Sequence, residues 1–206
     1  MPAKKGLFVV LEGPDKSGKS TQARLLAEAL RAAGRDVLHT REPGGTAVAE
    51  AVRRVLLDPG LRVDPLTELF LYEASRAQHT REKLLPALAA GRVVVSERYT
   101  MSTDVYQGLA RGLGLPLTRA LNRFATEGLR PHLTVVIDVP DAEFARRDRA
   151  RAHDRIEQAG ADFRKRVRAG YRRLARGAAR TVLLDGRRAP DDLQAEILQR
   201  VLRLKA

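Results

Sequence analysis

Eight residues near the start of the chain, GPDKSGKS at 13–20, constrain the fold more than any other feature. The apolar run 7–11 precedes them. Residues 22–33 follow, placing Leu25, Leu26, Ala29 and Leu30 on one helical stripe that stops at Gly34. Strand, glycine-bracketed turn and amphipathic helix in that order fit GxxxxGK[ST], a loop whose backbone N–H groups turn inward around phosphate oxygens. The glycines permit the inward turn, and the helix N-terminus adds positive potential. Lys19 reaches the outer phosphates and Ser20 offers a hydroxyl to Mg2+. The nucleotide-binding set expected is Gly13, Pro14, Asp15, Lys16, Ser17, Gly18, Lys19, Ser20 and Thr21.

Further apolar runs of strand length lie at 37–39, 93–95, 133–139 and 181–184. Helical patterns separate them at 47–57, 66–90 (broken near Thr80 and Pro86), 117–127, 141–151, 162–176 and 190–204. Near-continuous apolar strands alternating with helices predict an α/β fold with a mostly parallel sheet covered on both faces. No repeat, low-complexity tract or linker divides the 206 residues, so one domain is expected. The absence of cysteine excludes disulfides and thiolate chemistry, and the four histidines are scattered, without metal-site spacing. No apolar stretch approaches the roughly 20 residues of a membrane span. The N-terminal MPAKKG lacks a secretory apolar region, so a cytoplasmic protein is expected.

The formal net charge is +13, and 146–180 holds thirteen Lys or Arg against four Asp or Glu, so an anionic partner is expected. Aromatic residues make up only 4%, which leaves little material for base stacking and argues against a nucleic-acid-binding ATPase. A GTPase is set aside because the single asparagine, Asn122, is followed by Arg123 rather than the lysine of a guanine-reading NKxD element. Within the loop, a carboxylate at Asp15 beside bound phosphates needs a hydrogen-bond donor, and a sugar hydroxyl would serve. At the end of the run 93–95 stand Ser96-Glu97-Arg98-Tyr99, at the strand edge where open α/β sheets bind ligands. Glu97 suits a Mg2+-bound water, and the fork of Arg98 suits two phosphate groups.

With these motifs in place the chain resembles the thymidylate kinase family. The resemblance rests on LEGPDKSGKST (11–21), TREPGGT (40–46), ASRAQH (74–79), ERYTMSTDVYQG (97–108) and DRIE (154–157), and it spans nearly the whole sequence. It implies a three-layer P-loop kinase fold with a central five-stranded sheet, and ATP-dependent, in-line phosphorylation of dTMP to dTDP on the way to dTTP. Mg2+ as cofactor and a homodimer are also implied. The same resemblance sets Asp15 on the sugar 3′-hydroxyl, Arg98 on the dTMP phosphate and Arg76 on the thymine edge. Tyr72 would stack on the base, although its own context, LFLYEASR, reads as a buried stripe. Tyr106 would flank the sugar, Ser102 and Gln107 the base, and Arg41, Glu42 and Pro43 would belong to a loop over the monophosphate. A basic lid is implied at about 143–157, with Arg155, inside DRIE, well placed for the transferred group and the choice among Arg146, Arg147, Arg149 and Arg151 left open, and the turn Asp185-Gly186-Arg187 would lie beside adenine.

The chain departs from the family pattern in three places: Glu97 stands for the usual aspartate, Tyr72 for a common phenylalanine, and Lys16 adds a basic residue to the loop although the lid is also arginine-rich. The last predicts redundant positive charge around the transferred group. A deoxynucleoside kinase, with Glu12 or Glu97 as a carboxylate base, is the nearest alternative. Arg41, Arg76 and Arg98 converging on the acceptor favour a substrate already charged.

Overall fold

Strand β1 (Leu7–Glu12) is buried along its whole length and forms the spine of the sheet. The structure, a computed structural model, describes residues 6–148 and 154–204. β3 (Val93–Glu97) and β4 (Leu133–Asp138) flank β1, with β2 (Val37–Arg41) beyond β3 and β5 (Thr181–Asp185) beyond β4. The order is β2-β3-β1-β4-β5 and every pairing is parallel, where a mostly parallel sheet was expected.

Period-two alternation sorts the β1 side chains between two helical layers. Leu7, Val9 and Leu11 pack with Leu26 and Leu30 of α1 (Lys19–Ala32) and Ile197 and Val201 of α9 (Pro190–Leu202). On the opposite face Phe8 and Val10 meet Val94, Tyr99, Leu84 and Ala87. Val136 of β4 meets Tyr171, Val167 and Phe163 of α8 (Ala161–Arg176). Burial of both sheet faces is why the strands read as unbroken apolar runs rather than alternating ones.

α2 (Ala47–Leu57) starts at Thr46, whose side chain accepts from the Ala49 N–H at 3.2 Å. α3 (Pro65–His79) starts at Asp64 in the same way, with proline in its first turn, where a missing N–H costs nothing. The break anticipated near Thr80 and Pro86 is a π-helical turn, Thr80–Leu84, leading into α4 (Leu85–Ala89). Pro86 supplies no N–H and its ring crowds the preceding turn, so a wider turn keeps the helix running.

Several boundaries shift. The helix expected at 117–127 is α6 (Leu115–Ala125), and the one expected at 141–151 is α7 (Asp141–Arg147), which stops at Asp148. α5 (Thr100–Thr103), the π-helical turn Asp104–Ala110 that continues it, and a short 3-10 turn at Glu157–Ala159 have no counterpart in the sequence reading. TMSTDVYQGLA sets Met101, Val105 and Leu109 on one helical stripe, a short signal masked by its polar, β-branched and glycine residues, and packing of that stripe against α8 fixes the conformation.

The chain visits one side of β1 through β2 and β3, then crosses to the other through β4. The crevice of such a sheet opens at the C-terminal ends of the strands where the order reverses. Glu12, Glu97 and Asp138 end β1, β3 and β4 there.

Candidate active site

The phosphate loop leaves β1 at Gly13 and enters α1 at Lys19, as its sequence requires. Gly13 (φ 136°) and Gly18 (φ 99°) occupy backbone regions closed to other side chains. A Cβ at Gly13 would lie 2.3 Å from the Ile137 carbonyl oxygen. Lys19 is buried, and its ammonium donates to the carbonyls of Gly13 (2.9 Å) and Pro14 (2.6 Å). Burial, followed by the neighbouring Arg98 cation, pushes its pKa down to about 7 against the pull of Asp15, Glu12 and Glu97. A cation so poorly compensated is ready to exchange carbonyls for phosphate oxygens.

An open cleft of about 650 Å³ lies over this loop, lined by 16–22, Arg146, Arg147 and 186–190. Arg147 spans it, donating to the Lys16 carbonyl (3.2 Å) and the Gly186 carbonyl (2.8 Å). The 185–187 turn therefore adjoins the cleft, beside Arg146 and Arg147 at the end of α7. Lys16 is a non-glycine residue at φ 60°, its ammonium paired with Asp148 and lying 4.9 Å from the Phe144 ring. Left-handed backbone costs such a residue about 1 kcal/mol or more, so the position is held for what the side chain does.

Across the loop, β3 delivers the next two residues. Glu97 divides its carboxylate, one oxygen bonded to the Ser20 hydroxyl and the other 3.0 Å from His39 Nε2. Burial raises its pKa, but the bonds from His39 and Ser20 outweigh burial and leave it below the ordinary value. Ser20 and Glu97, named from sequence as a metal pair, are thus in contact. Arg98 follows at φ 68°, and this tight turn carries its guanidinium back over the loop to the Gly13 carbonyl (3.2 Å). The guanidinium also meets Ser102 Oγ (3.2 Å), the Tyr171 hydroxyl (3.0 Å) and the carboxylate of Asp15. Tyr106 donates to the second Asp15 oxygen at 3.0 Å. Burial works to raise the Asp15 pKa, yet Arg98, Lys19 and Tyr106 hold it below the usual carboxylate range.

A second, narrower pocket opens on the far side of Arg98. Asp15, Glu42, Pro43, Tyr72, Arg98, Ser102, Tyr106 and Gln107, all expected from sequence, line it together with Arg53, Thr103, Asp154 and Ile156. Tyr72, which its local context alone would place in the core, faces this pocket. Gln107 is anchored by Glu68 Oε1 at 2.7 Å.

Three expected residues lie elsewhere. Arg76 is 2% exposed beneath the pocket floor, its donors spent on Glu42 (2.8 Å), Glu73 (2.7 Å), Thr103 (2.7 Å), Asn122 (2.9 Å) and the Tyr99 carbonyl (3.1 Å). It supports the floor and lines no part of the pocket. Arg41 is exposed and paired with Glu50 at 3.0 Å, and it lines a separate cleft with His39 and Glu97 rather than the pocket. Arg155 is not brought to the phosphate loop. Its guanidinium is held by Glu68 (2.7 Å) and the Leu56 carbonyl (2.8 Å), because a fully buried carboxylate on α3 attracts it more strongly than an open cleft does. Arg149 and Arg151 lie outside the described residues, and Arg146 is exposed and paired with Glu143.

Sequence reasoning named Glu12 only as a base for the alternative kinase, and did not single out Arg53 or Tyr171. Glu12 is 0% exposed and accepts from Tyr99 N (2.8 Å), Ser102 N (3.1 Å), Ser102 Oγ (2.7 Å) and Tyr171 Oη (2.9 Å). Burial raises its pKa against all these donors and Arg98. Its oxygens are committed, so it is no free base for a hydroxyl substrate. Arg53 shares its helix face with Glu50 as well as Ala49 and Leu56, and nothing in the sequence sets it apart from Arg54. Tyr171 has no signal either, being one apolar position among many on α8.

The fold and these two clefts, one lined by Lys19 and the other by Asp15 and Arg98, define a phosphotransferase of the P-loop nucleotide kinase class. The thymidylate kinase family profile matches residues 11–197. A thymidylate kinase of Deinococcus radiodurans is 48% identical, over 93% of this chain and 94% of that protein. One of Caldanaerobacter subterraneus subsp. tengcongensis is 46% identical over 88% of each. The crystal structure of thymidylate kinase from Ehrlichia chaffeensis superposes with a TM-score of 0.79 at 31% identity, covering 97% of this chain and 99% of that one. The chain belongs to the thymidylate kinase family. Among the described residues no helix is long and apolar enough to cross a membrane.

Two expectations follow from this geometry. Lys16→Gly relieves left-handed strain, so its Tm is held or rises while kcat falls roughly tenfold; steady-state kinetics beside Lys19→Ala check this, and an equal loss in both variants would refute shared charge. The second concerns Glu42, whose pKa burial raises but Arg76 and His79 bring below its ordinary 4.5. A depressed carboxyl stabilises the fold above that ordinary value and loses the contribution as pH falls through the folded value. Glu42→Gln therefore costs about 3 kcal/mol at pH 7 and flattens the decline of stability below about pH 5; urea unfolding across pH reads both.

Proposed function

We propose that the protein transfers the γ-phosphoryl group of MgATP in line to the 5′-phosphate of dTMP, giving dTDP and ADP. The observation that carries this reading is Arg98. Its guanidinium touches the phosphate loop on one side and lines the acceptor pocket on the other. A planar fork there can hold two phosphate groups at once, which is what bringing two polyanions end to end demands.

The acceptor oxygen already belongs to a phosphate anion, so no general base is called for. The committed state of Glu12 agrees with that. Lys19 and Arg98 offset the mutual repulsion of the substrates, and Lys16 and Arg147 bring further positive charge from the lid side. Asp15, oriented by Tyr106, presents a carboxylate for the sugar 3′-hydroxyl, and Tyr106 closes the space where a ribose 2′-hydroxyl would project. Tyr72 offers a ring face to the base and Gln107 an amide to its edge. Arg155 reaches the transferred group only by leaving Glu68, so we assign it to a closed state. Mg2+ is typically held by one or two protein groups plus substrate phosphates and water, and Ser20 with Glu97 supplies that pair. When bound, Mg2+ neutralises charge developing on the phosphate oxygens.

The same reading has the enzyme working as a homodimer in the cytoplasm. Exposed apolar side chains recur on three neighbouring helices: Val48 and Val55 on α2, Leu66 and Phe70 on α3, Leu117 and Phe124 on α6. A patch of that kind suits a second copy. A cysteine-free chain acting on nucleoside phosphates fits a reducing compartment.

In a coupled ADP assay dTMP should be turned over and thymidine should not, with kcat/KM for dTMP falling roughly a thousandfold in Arg98→Ala. Equal turnover of thymidine, or an undiminished Arg98→Ala enzyme, would sink the reading. Sedimentation should find the wild type dimeric and Phe70→Asp monomeric; a monomeric wild type ends the pairing proposal.

A further inference from the structure

His39 stands on β2 with no role in the site as described so far. In the β2–β3 register it lies opposite Val95, and its ring reaches diagonally along the strand to Glu97. Nε2 is 3.0 Å from Oε1, with both side chains partly shielded from water. An ionised carboxylate only accepts, so Nε2 carries the hydrogen and donates, whichever state the other ring nitrogen is in. The second oxygen, Oε2, meets Ser20.

Glutamate has one more rotatable bond than aspartate, and an untethered Glu97 can swing. The competing attraction is Lys19, whose cation acts on Glu97 from the phosphate loop. A Glu97 that turned onto Lys19 would take that ammonium from the phosphates and withdraw its carboxylate from Ser20. Among the described residues, the hydrogen bonds of the Glu97 side chain run to His39 and Ser20, and only His39 pulls away from the loop. The ring meets one oxygen from the β2 side, fixing the plane of the carboxylate and leaving the other oxygen beside Ser20.

We infer that His39 is a positioning residue for the metal-facing carboxylate: it tethers Oε1 of Glu97 so that Oε2 stays beside Ser20 and off Lys19. This rests on the assignment of Ser20 and Glu97 to Mg2+ made above. His39 acts through Glu97 and touches neither nucleotide pocket.

The test titrates Mg2+ at saturating ATP and dTMP in wild type, His39→Ala, His39→Gln and Glu97→Asp, with the double variant His39→Ala/Glu97→Asp. The half-saturating Mg2+ concentration should rise roughly tenfold in His39→Ala, the scale on which outer-shell partners act, with the KM for dTMP little moved. Glutamine places an amide N–H near the position of Nε2 and should restore most of the difference. In the Glu97→Asp background, where the shorter side chain lies out of reach, the histidine should have no further effect, so the two changes are non-additive. A readout without turnover accompanies these: in the ligand-free wild type, imidazole nitrogen NMR should show His39 Nε2 protonated and hydrogen-bonded, with the signal perturbed in Glu97→Gln. An unchanged Mg2+ curve in His39→Ala, failure of glutamine to restore it, additive effects in the double variant, or an unbonded Nε2 overturns the inference. A wild type indifferent to Mg2+ overturns the metal assignment itself, and the inference with it.

Discussion

A carboxylate sealed from water stands at the end of the central strand, and both clefts are built around it. Glu12 gathers the backbone of Tyr99 and Ser102, the Ser102 hydroxyl and the Tyr171 hydroxyl. Those bonds join β1 to the segment after β3 and to α8. Burying an ionisable group is expensive unless its lone pairs are satisfied, and here they are satisfied by groups that must be positioned for the site to exist. Tyr171 and Ser102, once committed to Glu12, are also the groups that receive Arg98. The guanidinium that lies between the phosphate loop and the narrower pocket is therefore aimed by a carboxylate it does not hydrogen-bond.

The fold was largely readable because its strongest signals are local. Apolar runs buried on both faces, a glycine-bracketed turn and helix stripes each declare themselves within about ten residues. The stretch 100–110 did not, since its helical state answers to Glu12 at its start and to packing against α8, both distant in sequence. The phosphate loop was readable to the residue because backbone geometry dictates its glycines. Most of the acceptor pocket came through resemblance rather than chemistry: Tyr72 on its own reads as core. Arg76 and Arg155 show the limit. Their residue types fit ligand contact, but the buried carboxylates Glu42 and Glu68 hold Arg76 and Arg155, and pairings that span 34 residues or more leave no local trace.

The alternatives opened by composition close on specific side chains. A hydroxyl-directed kinase needs a free carboxylate at the acceptor, whereas Glu12 is saturated and Glu97 faces Ser20 and His39. The basic excess that suggested a polyanion partner is partly spent inside the chain: Arg168 and Arg172 sit on Asp138, Arg147 on Glu143, and Lys16 on Asp148.

The basic segment after β4 is moored at both ends, and on different shores. Its start is fastened to the donor side through Lys16 and Gly186, and its end to the acceptor side through Glu68 and Leu56. Arg146 and Arg147 accordingly line the cleft over the phosphate loop, and Asp154 and Ile156 line the narrower pocket. A single stretch of sequence thus furnishes wall residues to both chambers, on either side of the Arg98 guanidinium.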